Sequence, residues 1–316
     1  MTSYLLDCDP GVDDALALGY LLGSPGLDLA AVTTVFGNVR VELATDNALR
    51  LLHLAGRDDV PVSAGAASPL VAPFNPDRAS VVHHANGLGG VELPLPAHGP
   101  TGEPAWETIA RLSAERSDLH ILAIGPLTNL ALALRHDPGI VDRVAHVTIM
   151  GGAALAPGNA TPAAEANVWH DPEAARAVLT ADWDTTVVPL DATMLQVLEE
   201  PERARLLESG SAYARAMGEI LGHYSRFYAR SLGRVAAALH DPLAAAVAVG
   251  DIPLAVAPRA SVDVDTANGP SHGATVFDLR RSRYLGWPDD PDARCRVVLD
   301  AGTDFGPQLV DRLTRV

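Results

Sequence analysis

Between positions 7 and 14 the chain reads Asp7-Cys8-Asp9-Pro10-Gly11-Val12-Asp13-Asp14, four carboxylates within eight residues. Carboxylates held this close repel one another, and each is costly to take out of water. A bound hard cation offsets both costs, and oxygen donors of this kind suit Ca2+ or Mg2+. Pro10 and Gly11 favour a sharp turn. Asp13 and Asp14 then fall in the first turn of a helix, where the backbone dipole also favours negative charge. Taken singly, each Asp is also an ordinary strand-end or helix-start acid; the argument rests on all four together.

A second chemical pair stands near the other end of the chain, His240-Asp241-Pro242. Histidine titrates near neutral pH and suits general acid or base work. His136-Asp137-Pro138 repeats the same tripeptide after a helical run and reads as a helix end, so the tripeptide alone means little. His240 differs in preceding an apolar helix. Two other uses of the acidic turn can be weighed. An EF-hand loop starting at Asp7 needs Gly at its sixth position and Glu at its twelfth. Those positions hold Val12 and Leu18, which excludes it. A phosphatase of the haloacid dehalogenase type also opens with a strand and Asp-x-Asp, but such enzymes hold the phosphoryl group with a downstream lysine. This chain has no lysine at all.

These residues need elements to position them. Apolar runs at 4–7, 27–36, 119–124, 144–150, 185–189 and 297–299 read as strands. Helical patterns fill 13–23, 40–55, 104–115, 127–134, 172–181, 202–221 and 242–249. The first of these helices is apolar all round, hence buried. Tyr224 and Tyr228, spaced i, i+4, read as one helix face and as core. Alternation of strands and helices predicts an α/β fold with a mostly parallel sheet flanked by helices. In such folds ligands bind beyond the carboxyl ends of the strands, which is where the polar clusters fall.

The 316 residues are 48% hydrophobic, enough for a sizeable core. No linker, low-complexity tract or repeat divides them, so a single domain over 1–316 is expected. A formal net charge of −16 opposes binding to nucleic acid. Cys8 and Cys295 suggest no disulfide framework, and no clean membrane-spanning run stands out; a cytoplasmic protein is expected.

The run 6–16, LDCDPGVDDAL, resembles the N-terminal signature of the inosine-uridine-preferring nucleoside hydrolases. Further matches follow in order. They are Val35-Phe36-Gly37-Asn38-Val39, then His83 ahead of Gly87-Leu88-Gly89, then Gly125-Pro126-Leu127-Thr128-Asn129-Leu130 and Met150-Gly151-Gly152. Asn159 and Glu165-Ala166-Asn167, then Asp171-Pro172-Glu173-Ala174-Ala175, and last His240-Asp241-Pro242, complete the set.

The resemblance implies a Ca2+-dependent ribonucleoside hydrolase with a Rossmann-like core and a mixed, mostly parallel sheet, assembled as a homodimer or homotetramer. It also suggests a lid role for the region of Tyr224 and Tyr228. It implies Ca2+ bound by Asp9, Asp14 and Asp241 and by the backbone carbonyl of Thr128, with the ribose hydroxyls chelated. A metal-bound water attacks the anomeric carbon, Asp9 is the base, and His240 is the acid for the leaving base. Asp13, Asn38, Asn159, Glu165 and Asn167 bind the ribose hydroxyls, Met150 packs on the sugar, and His83 approaches the base or the 5′ side. Two positions depart from the family pattern: His84 stands where glycine is usual, and Ala166 where an aromatic is common. A non-catalytic sugar-binding relative on the same fold is the remaining alternative.

Overall fold

The computed structural model describes residues 2–74 and 80–316. Eleven strands are described: β1 (Thr2–Cys8), β2 (Leu27–Thr34), β3 (Val62–Ala64), β4 (Leu119–Ala123), β5 (His146–Met150), β6 (Thr185–Val188), β7 (Val197–Glu199), β8 (Ala236–Ala238), β9 (Val262–Val264), β10 (Thr275–Phe277) and β11 (Cys295–Val297). Seven form one sheet in the order β11-β6-β5-β4-β1-β2-β3. Every pairing between its strands is parallel, and an isolated antiparallel bridge from Arg259 to Arg296 flanks its β11 edge, in keeping with the mostly parallel sheet expected. The antiparallel pairs β7–β8 and β9–β10 lie outside it.

Both faces of the sheet are covered by helices, and β1 shows why its sequence is a near-continuous apolar run. Tyr4, Leu6 and Cys8 point into one hydrophobic cluster with helices Val12–Leu22, Ala212–Leu232, His240–Ala248 and Gly306–Leu313. Leu5 points into the other, with helices Ala105–Glu115, Thr128–His136 and Pro172–Leu179. The strand period of two thus feeds two cores from one strand. Because β1 lies between β4 and β2, the turn after Cys8 emerges at the middle of the sheet's carboxyl edge.

The helix expected over 202–221 is two helices, Glu200–Leu207 and Ala212–Leu232. Ser209-Gly210-Ser211 interrupts it: the Ser211 hydroxyl accepts from Ala214 N at 3.1 Å and starts a new helix. That helix runs past 221 until Gly233, whose φ of +69° is the left-handed conformation that closes a helix. The last strand falls at Cys295–Val297 rather than 297–299. Strands β3 and β7 to β10 were not expected; three residues are too few to show a period. His136-Asp137-Pro138 does end a helix, and both cysteines are free and buried.

Candidate active site

The turn after β1 delivers its acids by local hydrogen bonding. Asp14 Oδ2 accepts from Gly11 N at 2.9 Å, and its Oδ1 accepts from Asp9 N at 3.1 Å. The carboxylate therefore stitches the turn to the start of helix Val12–Leu22. From the end of β2, Asn38 holds both acids at once. Its backbone N–H donates to Asp9 Oδ2 at 2.6 Å, and its Nδ2 donates to Asp14 Oδ2 at 3.0 Å. Asp13 Oδ2 accepts from the Tyr224 hydroxyl at 3.0 Å. Ligand oxygens of Asp13, Asp14 and Asp241 all lie within 4.8 Å of one another, so the two ends of the chain meet here.

The sequence nominated Asp9, Asp14 and Asp241 as metal ligands; the tight trio has Asp13 in place of Asp9. Asp9 lies beside it, buried, with its Oδ1 making no hydrogen bond, and Asp13 Oδ1 is likewise without a partner. Burial, and then the neighbouring acids, push Asp9, Asp13 and Asp241 well above the ordinary carboxylate range; burial also raises Asp14. Four acids in one dry pocket cannot all ionise without a compensating positive charge.

Asp13 and Asp241 of the trio line a cavity of about 840 Å³. Asp13, Asn38, His83, Met150, Asn159, Glu165, Asn167, His240 and Asp241, all nominated from sequence, line it. Asn167 Nδ2 donates to the carbonyls of Ile124 (2.8 Å) and Met150 (3.2 Å), across the ends of β4 and β5. Glu165 caps helix Ala166–His170, accepting from the amides of Asn167, Val168 and Gly152. Asn159 sits at the exposed rim, its Oδ1 accepting from Ala166 N.

Thr128 does not reach the cavity among the described residues. It opens helix Thr128–His136, so its carbonyl points along that helix, and its hydroxyl donates to Asp171 at 2.7 Å. The strand-end carbonyl at the cavity wall belongs to Ile124, four residues earlier. Asp7 is fully buried, taken up by Thr33 and Asn129, and burial pushes it up to about 7. Like Asp9 and Asp14, it is not among the residues that line the cavity.

The two histidines are held differently. His83 Nδ1 accepts from Val12 N at 3.1 Å, which places the proton of the neutral ring on Nε2. Burial, then His240 and His223, lower its pKa to about 3. His240 is clasped at both ring nitrogens, Nδ1 to the Thr193 hydroxyl at 2.8 Å and Nε2 to the Tyr228 hydroxyl at 2.7 Å; burial lowers it to about 4. Tyr224 and Tyr228 are thus buried and also cavity-lining, ring centroids 4.8 Å apart. His84 has a φ of +67°, the reason glycine would be easier at that position. Trp169, His170, Leu190, Met194 and Phe227 also line the cavity and were not nominated. Trp169 and His170 share a short helix with Asn167, and Phe227 shares one with Tyr224 and Tyr228, but being apolar or aromatic they carry no signal of their own; only the strand-end rule pointed to the 189–194 region.

A parallel α/β sheet with an acid trio and a buried His–Tyr pair at its carboxyl edge places a cavity of small-ligand size where such folds bind ligands. The model of the inosine-uridine preferring nucleoside hydrolases matches residues 4–305, and the chain belongs to that family, hydrolases acting on N-glycosyl compounds. It is 37% identical to uridine nucleosidase 1 of Arabidopsis thaliana over 283 residues, 89% of this chain and 83% of that one. It is 36% identical to the inosine-uridine preferring nucleoside hydrolase of Leishmania major over 319 residues, 99% of this chain and 97% of that one. Among solved structures, a plant nucleoside hydrolase, the PpNRh1 enzyme, superposes with a TM-score of 0.90 at 34% identity, covering 99% of each chain.

Proposed function

We propose that this chain hydrolyses the N-glycosidic bond of purine or pyrimidine ribonucleosides to free base and ribose, with Ca2+ as its resident cation. The convergence of Asp13, Asp14 and Asp241 within 4.8 Å carries the reading. That spacing suits one cation about 2.3–2.6 Å from each oxygen. The partnerless oxygens of Asp9 and Asp13 and the all-oxygen donor set fit a hard ion. Asp14 and Asp241 would hold it, with Asp9 or Asp13 and the Ile124 carbonyl as further donors. When bound, the ion makes water more acidic and chelates the ribose diol.

The chain's own groups supply the rest. Asp9 Oδ1 has no hydrogen-bond donor and is free to take the proton of the attacking water. Positive charge builds on the sugar ring in an oxocarbenium-like transition state, and the carboxylates around it favour that charge. Asp13, Asn38, Asn159, Glu165 and Asn167 bind the ribose hydroxyls; Met150 packs against the sugar. His240, with Tyr228 on its Nε2, protonates the leaving base, and His83 contacts the base or the 5′ side. The net charge of −16 argues against nucleic acid as a partner. No helix among the described residues is long and apolar enough to cross a membrane. A homodimer or homotetramer in the cytoplasm is the setting that fits the family resemblance.

The test is ribose release from inosine, adenosine, guanosine, uridine and cytidine, with and without Ca2+. Calcium-dependent release from at least one supports the reading. No release from any of them, by protein shown to bind Ca2+, overturns it in favour of a sugar-binding relative without turnover.

A further inference from the structure

Strand β6 ends at Val188, and Pro189 leads into a single helical turn, Leu190–Thr193. Residues 151–160, which form one wall of the cavity, contain no helix or strand, so their amides must find partners elsewhere. Three of them in succession find one side chain. Asp191 Oδ2 accepts from Ala154 N at 2.8 Å, and Oδ1 accepts from Leu155 N at 2.7 Å and Ala156 N at 3.0 Å. Consecutive amides aimed at a carboxylate form an anion-binding nest, and each bond is charge-assisted. The turn also meets this wall through its backbone, Leu190 N donating to the Gly152 carbonyl at 3.0 Å. Two residues on, the buried Thr193 hydroxyl meets His240 Nδ1 at 2.8 Å.

We propose that the Leu190–Thr193 turn is a positioning element that sets two walls of the cavity at once: Asp191 fixes the 151–160 wall, and Thr193 fixes the plane of the His240 ring. Neither side chain is a cavity-lining residue, so both act through others. Thr193 suits its task because a hydroxyl can donate to an imidazole lone pair or accept from its N–H. It therefore holds the ring in either tautomer, while Tyr228 holds the other edge. Asp191 suits its task because two oxygens serve three amides; asparagine keeps one acceptor oxygen, which is enough for Leu155 and Ala156 but not for Ala154. The consequences separate. The wall carries Asn159 at its far end, so loosening it weakens substrate binding. The ring faces leaving-group chemistry, so loosening it slows the bond cleavage that needs a proton.

The inference rests on the proposed hydrolase reading, and wild-type ribose release is measured first for that reason. Thr193→Val is expected to lower kcat on inosine and uridine about tenfold with KM within about twofold, and to change little on a nitrophenyl riboside; Thr193→Ser restores the rate. Asp191→Ala is expected to raise KM about tenfold on all three substrates, with Asp191→Asn in between. Imidazole 15N spectra should show a displaced His240 Nδ1 signal in Thr193→Val and a native one in Thr193→Ser. A wild-type KM in Asp191→Ala overturns the role of Asp191. An unchanged His240 spectrum in Thr193→Val, or an equal loss on all three substrates that serine does not repair, overturns that of Thr193. An inactive wild type sinks the hydrolase reading instead, and the spectra still decide whether Thr193 sets the ring.

Discussion

Asp9 is boxed in by two glycines, and this gives a sharp test of its place in the mechanism. A methyl group added at Gly37 would overlap Asp9 Oδ2 and stand 2.8 Å from its Cγ, with Pro126 Cδ at 3.0 Å on another side. Carbon atoms rest at about 3.5–4.0 Å, so the Gly37→Ala carboxylate must retreat by roughly 1 Å. It cannot retreat toward Gly125, where the space is only large enough for a hydrogen: a Cβ there would lie 2.7 Å from Asp9 Oδ1. The 2.6 Å bond from Asn38 N to Oδ2 is lost in the process. A misplacement of about 1 Å in a reacting group costs on the order of 10²-fold in rate. Gly37→Ala should therefore lower kcat about a hundredfold in a ribose-release assay, while circular dichroism still reports a cooperative fold. A folded Gly37→Ala enzyme with kcat within about threefold of wild type would refute the claim that the position of this carboxylate sets the rate.

Asp9→Ala should reduce turnover by about 10³-fold or more with the fold retained, checked by single-turnover ribose release. His240→Ala should slow inosine and uridine by about 10²-fold yet spare a nitrophenyl riboside; equal slowing on both would remove it as the acid. In metal-free protein the acid cluster sets a pH dependence of known sign. Burial and Asp14 raise Asp13 to about 8, so between the ordinary carboxylate value of 3.8 and that range the folded state keeps a proton that the unfolded state has lost. Stability therefore falls as pH rises through that window, and thermal melts in a chelator should show Tm declining toward pH 8. Calcium at a hundred times its Kd should restore about 2.7 kcal/mol. A 2′-deoxyribonucleoside, lacking one arm of the chelated diol, should show a kcat/KM at least about tenfold below its ribonucleoside.

What could be read from the sequence divides along physical lines. The acidic turn was legible because its chemistry and its local structure sit in the same eight residues, and a buried strand and helix on either side leave four carboxylates few other uses. His240 and Asp241 were legible by type and by the apolar helix they start, although their meeting with Asp13 and Asp14 is a long-range fact. Ile124 lines the cavity and Thr128 does not, because a strand-to-helix turn offers several carbonyls and only the fold decides that the strand runs to Ala123 and the helix begins at Thr128. The acids within 4.8 Å of one another include Asp13 rather than Asp9, a choice that residue type cannot make between neighbouring acids on a turn. Thr193 and Asp191 left no signal of their own: a threonine and an aspartate in a short turn are ordinary, and their importance lies in what lies across from them. The helix over 202–221 was drawn as one and stopped too early: Ser209-Gly210-Ser211 divides it, and the second helix runs on to Leu232.

The acids of the trio stand at positions 13, 14 and 241, so more than two hundred residues of chain separate the first two from the third. A ribosome-bound polypeptide that has not yet emitted Asp241 holds only half a cage, and a product of premature termination never completes it. A copy that stops before Asp241 keeps two acids of the trio and lacks the third, and is expected to release no ribose.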